Sequence, residues 1–405
     1  MNVEELVRDA FREEAADTPH ASPSLVDRVL DVRRRIRRRR LASLAAATAA
    51  AVALTVALPL LGRGGHEVRP ASEMNRSDII GHPDQSPPKT MIAAGDTVLS
   101  AFVTKWVKQP DGDMVSQRVY GLLDQKKGTY EKTEWAFLDV APGSRTAAVL
   151  EGELPARRIG LLDLITGKVD RWIALDQGVA SVAFSPDGTK LVATTYAKNP
   201  DRRLAAHPEI VDGRKTPGPV PSRTGFTVVD VESGRSDWHK APYSTDGTGW
   251  FGNAREDFDW SHEGTLVHSD SVMKPFRAYY GLDGAKADGP KDEQGSPSVA
   301  AGLSPDGKLS AGDFAGFGST VAAAILDPHT GRRVTTVPVQ QLLAWADNKR
   351  LVAWGCDPKR CSGKGEFHNQ LLLVTIGTDR VVQLSGFRKA DAAYPGRWTP
   401  VFSSR

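Results

Sequence analysis

Cysteine is nearly absent, with two residues in a chain of 405. A disulfide framework therefore cannot organise the chain, and a multi-cysteine zinc site is excluded. An excess of one charge is also missing: 52 Lys and Arg stand against 49 Asp and Glu, a net +3. That balance excludes a general nucleic-acid binder, so no nucleic-acid partner is expected. Catalytic signatures are scarce too. No G-x-S-x-G nucleophile elbow occurs. His262-Glu263 followed by His268 misses the H-E-x-x-H spacing, and Gly363-Lys364 lacks the phosphate-loop spacing and its Ser/Thr. The nine His are scattered without a ligand pattern, so neither a metal nor a cofactor is expected. What is present is a 40% hydrophobic composition with nine Trp, enough for a real core.

The charge balance hides a local asymmetry. Residues 1–31 hold eight acids against Arg8, Arg12 and Arg28. Then Arg33, Arg34, Arg35, Arg37, Arg38, Arg39 and Arg40 fill seven of eight positions, and residues 41–61 carry no charge. A helix of that length spans about 32 Å, which matches a bilayer core. With the arginines on its leading side, the positive-inside rule places residues 1–40 in the cytoplasm and the rest outside. The expected location is the cell membrane, as a single-pass signal anchor. A cleaved signal peptide is the alternative, but its leading segment would be unusually long and no A-x-A site follows.

Residues 1–40 form the expected cytoplasmic stub. Val3, Leu6, Val7, Ala10 and Phe11 make one helical stripe, and Ser22-Pro23 reads as the cap of a second helix. Such helices are marginal alone, so residues 1–31 are a candidate contact for a cytoplasmic regulator or the membrane surface. Residues 62–89 read as a linker of Gly, Pro, Ser and charges.

From residue 90 to 405 the chain repeats. One unit is an apolar strand, a Pro/Asx-Gly turn and a strand: SVAFSPDGTKLVATTY (181–196), FDWSHEGTLVHSD (258–270) and VAAGLSPDGKLSAGD (299–313), with weaker copies at 135–150 and 342–355. A second unit follows each: RIGLLDLITGKVDRWI (158–173), GFTVVDVESGRSDWHK (225–240), and copies at 276–288, 320–339 and 369–384, with one more from Arg118. In these turns Pro presets φ, Asp bonds the following backbone and Gly supplies positive φ. Turn glycines Gly128, Gly167, Gly234, Gly284, Gly331 and Gly377 are spaced 39, 67, 50, 47 and 46 residues. Two hairpins per period of about 40–50 residues predict an all-β chain folded as a β-propeller. Six second-type units predict six blades, with seven as the alternative. The tail 397–404 reads as a strand that completes the first blade and hides open strand edges.

The S-P-D-G-x-x-L-V turn followed by V-D-x-x-S-G resembles the repeat of TolB-like, WD-type propellers over about residues 90–405. The whole layout resembles uncharacterised membrane proteins of high-GC actinobacteria, some of which accompany extracytoplasmic-function sigma factors. The resemblance implies a fold and says little about chemistry. It makes a non-catalytic binding or scaffold module the leading expectation, for a protein, peptide or envelope glycan at the outer face. A signalling protein whose stub binds a sigma factor and a propeller hydrolase are the alternatives.

Hairpin turns of a propeller share one face, so the long connections must share the other, where ligands are commonly held. The candidate residues there are aromatic and basic. Tyr243, Trp250, Phe251, Phe314 and Phe317 beside glycines offer stacking surfaces, or else pack back onto the blades. Arg202, Arg203, Arg214 and Lys215 lie in the Pro-rich insertion 197–223, a partner-binding loop or a mobile excursion. Cys356 and Cys361 are spaced for a local disulfide outside the membrane.

Overall fold

The hairpin turns close as their sequences require. Asp163 Oδ1 accepts hydrogen bonds from the backbone N–H of Ile165 and of Thr166, both at 2.7 Å, and Gly167 takes φ 69°. Asp124 and Asp327 repeat this cap at equivalent turns, and Asp230 accepts from the backbone N–H and the hydroxyl of Ser233. The inner turns use the other device: Asp187 accepts from Ser185 Oγ and Thr189 N, and Gly188 sits at φ 73°.

The computed structural model describes residues 79–104, 107–108, 112–211, 213–242, 255–270, 276–293, 299–317, 320–357, 369–388 and 398–405. The expected stub, the expected span and most of the expected linker fall outside these residues. Among the described residues, no helix is long and apolar enough to cross a membrane. The described chain is all-β apart from one 3-10 turn at Lys291–Glu293.

The strands group into six antiparallel units. Unit 1 holds Thr399–Ser404, Thr97–Val103, Tyr120–Asp124 and Thr129–Lys132. Unit 2 holds Phe137–Val140, Thr146–Leu150, Ala156–Asp163 and the first part of Lys168–Phe184. The second part of that long strand opens unit 3, followed by Lys190–Tyr196, Arg223–Asp230 and Ser236–Lys240. Units 2 and 3 are therefore one continuous seven-stranded sheet. Unit 4 is Phe258–Trp260, Leu266–Asp270, Arg277–Gly281 and Lys286–Ala287. Unit 5 is Ser310–Phe314, Ala323–Leu326 and Arg333–Val337, with Leu303 bridged to Ser310 on the inner side. Unit 6 is Gln341–Trp345, Arg350–Gly355, Gln370–Thr375 and Val381–Gln383.

Apolar side chains alternate along these strands and fill the seams between neighbouring units. Separate clusters join unit 1 to 2, 2 to 3, 3 to 4, 5 to 6, and 6 back to 1. Units 4 and 5 meet through Asp292 Oδ1 and His329 Nδ1 at 3.0 Å. The ring is closed, and the fold is a β-propeller. Closure uses both ends of the described chain: Thr399–Ser404 pairs with Thr97–Val103, as the tail sequence leads one to expect. Trp398 is fully buried at that seam, edge-on to Phe102 and Trp354 with ring centroids 6.0 and 4.9 Å apart.

Two boundaries differ from expectation. Ile79–Ile80, expected in the linker, already pairs with Ala93–Ala94, because both isoleucines have an apolar neighbour to cover. The insertion 197–223 is not an open loop. Arg202–Val211 and Arg214–Pro219 form a ribbon, joined through Arg202 and Arg203 to Met114–Val115 and then to Val107–Lys108. Its prolines, read as loop formers, sit partly in Arg214–Pro219, an edge strand where a missing N–H is tolerated.

Candidate functional site

On the long-connection face the accessory sheet is locked down by charge. Asp201, at the foot of the ribbon, lies between two guanidiniums. Arg118 Nη2 donates to Oδ1 at 3.0 Å and its Nη1 to Oδ2; Arg255 Nε and Nη2 reach the same oxygens at 3.0 and 2.5 Å. Arg255 also donates to Ala180 O at 3.0 Å and to Asp257 Oδ2 at 2.9 Å. Burial alone would raise the Asp201 carboxyl, but Arg118 and Arg255 hold it well below the usual carboxylate range.

The expected partner-binding residues separate into three groups. Arg202 pairs with Asp113 at 2.7 Å, and Arg203 with Glu209, so both serve the accessory sheet itself. Arg214 and Lys215 are exposed beside the ribbon's turn, and Phe314 and Phe317 are 40% and 92% exposed. Tyr243, Trp250 and Phe251 lie outside the described residues, as does Cys361. Cys356 follows directly after the strand Arg350–Gly355.

The opposite end of the ring holds a feature that the sequence reading did not single out. The last two residues of the inner strands are Ser403-Ser404 in unit 1, Asp139-Val140 in unit 2, Ala183-Phe184 in unit 3 and Asp259-Trp260 in unit 4. All but Ala183 line one pocket of about 340 Å³, with Pro142, Ser185, Pro186, Ser261, His262 and Phe402. The pocket opens beside the inner-hairpin turns. Its walls are fixed: Trp260 Nε1 donates to Ala183 O at 2.9 Å, and Ser144 and Ser403 hydroxyls bond at 2.8 Å.

Two acidic residues line this pocket. Asp139 Oδ2 accepts from Phe184 N at 2.8 Å. Burial raises the Asp139 carboxyl to about 7 against that hydrogen bond, and the neighbouring charge of Asp259 adds to the rise. Asp259 is reached by water yet enclosed by protein walls. Burial raises its carboxyl as well, against the pull of His268 and of its bond from Trp260 N. The penultimate inner-strand position is alanine in units 3 and 6, at Ala183 and Ala344. An acid where other repeats carry alanine was the signal available in the sequence. Among the described residues, no three His, Cys, Asp or Glu side chains gather as a metal site.

No protein-family model and no curated protein sequence matches the chain. Among solved structures, it is similar to TolB from Acinetobacter baumannii at 17% identity, covering 75% of this chain and 66% of that one, with a TM-score of 0.40. It is similar to the Cps50 (Swd1) β-propeller domain of Myceliophteria thermophila at 13% identity, over 76% and 98% of the two chains, TM-score 0.38. Hydrazine synthase of Kuenenia stuttgartiensis gives 16%, 65% and 71%, with 0.33. These likenesses concern the fold, and the propeller assignment stands on the closed ring of sheets.

Proposed function

We propose that the chain is a single-pass, membrane-anchored binding module. Its propeller lies outside the cell and takes its ligand, a peptide, protein group or envelope glycan, in the axial pocket. The observation that carries this reading is the pocket itself. It is walled by inner strands of four units, and its lining includes three aromatic residues and two acids. Pockets of this size with a few convergent polar groups of shifted pKa are the usual places for ligands. The anchor rests on the arginine block 33–40 and the uncharged run 41–61, which also carry the resemblance to actinobacterial membrane proteins. The exposed Phe314 and Phe317 offer a second, protein-facing surface at the other end.

Crosslinking from membranes tests this with three forms: the full chain, Ser404→Trp, and the chain without residues 1–31. The exposed Ser404 side chain lies at the pocket, so tryptophan there plugs it. Envelope partners lost only in Ser404→Trp support the reading. A cytoplasmic regulator lost only with residues 1–31 replaces it with transmembrane signalling. The raised carboxyl of Asp139 favours one further reading, a propeller hydrolase with Asp139 as proton donor. Turnover of a glycoside or ester panel that disappears in Asp139→Asn would establish it.

A further inference from the structure

We propose that the axial pocket receives an alkylammonium or guanidinium group, carried by a basic peptide side chain or by a free polyamine. This rests on the reading of that pocket as the ligand site. Three features of the lining point to a cation. Asp139 and Asp259 come from different units and line one cavity, close enough for the charge of Asp259 to act on Asp139, and among the described residues no Lys or Arg lines it. The contrast with Asp201, clamped between Arg118 and Arg255 at the other end, is direct. Where this fold needs a buried carboxylate for structure, it places guanidiniums directly on it; in the axial pocket none stands in the lining, and Arg277 acts on Asp259 only from outside it.

The second feature is aromatic. Phe184, Trp260 and Phe402 share the lining with the two acids, and aromatic residues together with carboxylates favour a cation over an anion. The third is the side chain of Ser404, exposed at the pocket, whose hydroxyl can accept from an N–H donor; the hydroxyls of Ser185, Ser261 and Ser403 are buried in bonds within the protein. A volume of about 340 Å³ is at the lower end of ligand pockets and fits one extended basic side chain better than a folded oligomer.

A cation in this pocket must displace protons. Burial, with the charge of Asp259 added at Asp139 and that of Asp270 added at Asp259, holds both carboxyls above their usual range, and an incoming cation stabilises the ionised forms. The groups that face them are His262 in the lining, and His268, Asp270 and Arg277 beside Asp259. Binding should therefore tighten between pH 6 and pH 8 and release protons to the buffer.

Calorimetric titration of the full chain tests the proposal with three probes: cadaverine, agmatine, and an acetyl-Gly-Lys-Gly-amide peptide. Saturable binding at pH 8 with proton release, weakened tenfold or more in both Asp139→Asn and Asp259→Asn, is the expected result. The Asp139→Asn substitution keeps a side-chain oxygen for Phe184 N, so the fold need not be lost. If one variant fails to fold, the other and the wild-type proton release decide. A peptide that binds tighter than the amines assigns the cation to a partner's side chain; the reverse assigns a free polyamine. No binding of any probe, or binding unchanged in both variants, overturns the cation. If Ser404→Trp still abolishes partner capture in that case, the pocket remains the ligand site and only its ligand class is wrong.

Discussion

The Asp139 carboxylate accepts a hydrogen bond from the backbone N–H of Phe184 at 2.8 Å, joining the inner strands of units 2 and 3 beside the axial pocket. The bond fixes one oxygen in place while burial disfavours the charge. Both protonation states keep an acceptor there, so the bond itself does not require ionisation.

A stability prediction follows from the raised carboxyl. The folded group titrates near 7, the unfolded one near the ordinary value of about 4. The folded state therefore holds the extra proton between those values. Its contribution is complete at low pH and is lost as pH rises through 7. With water reaching the pocket, the loss from pH 5 to pH 8 is about 1–2 kcal/mol. Asp139→Asn, neutral and still an acceptor, should lack that share. Urea unfolding at four pH values checks it; parallel profiles for wild type and variant would sink it.

Asp201 predicts the opposite sign. Its carboxyl is held low by Arg118 and Arg255, so its contribution is present above about pH 4 and fades as pH falls through the depressed value. Asp201→Asn leaves Arg255, itself buried, without its main partner. The expected cost is about 3–5 kcal/mol. Hydrogen exchange should report faster opening of Arg202–Val211 than of the blade strands. Uniform protection across both would mean that the accessory sheet does not depend on this network.

The Cys356–Cys361 pair predicts a chemical outcome. Protein recovered from the membrane without reductant should take up no alkylating label, and two labels after reduction. The closed loop is short, so reduction should lower stability by about 2 kcal/mol at most. Labelling before reduction would rule the bridge out.

What the sequence made legible was local. Asp163 and Gly167 are four residues apart, and their turn is decided within that span. The closing strand was legible because one open edge needs one partner. The accessory sheet was not, since Arg202 and Asp113 are 89 positions apart and nothing in either segment names the other. Prolines there signalled a loop, and only the position at a sheet edge makes them compatible with a strand. Asp139 was hidden differently: FLDVAPG shows an acid in an inner strand, but whether it faces a seam or the axis depends on the closed ring. The ends of the candidate surface at Trp250 and Phe251 stay with the sequence expectation.

Ring closure supplies the last prediction. Trp398 is fully buried where unit 6 meets unit 1, against Phe102 and Trp354, and its Nε1 donates to Ser86 Oγ at 3.0 Å. The next residues form the strand that pairs with Thr97–Val103, so this indole holds the closing strand in place. Trp398→Ala removes a large ring from a filled seam and orphans a hydroxyl, at an expected cost of about 3–5 kcal/mol. Trp398→Phe keeps most of the volume and should cost clearly less. The decisive readout is local. If closure depends on Trp398, exchange protection should fall first along Thr97–Val103 and Thr399–Ser404, and amine binding at the pocket should weaken with it, because Ser403 and Ser404 form one wall. A global loss of stability with those two strands still the best protected would show that the ring is closed by other contacts.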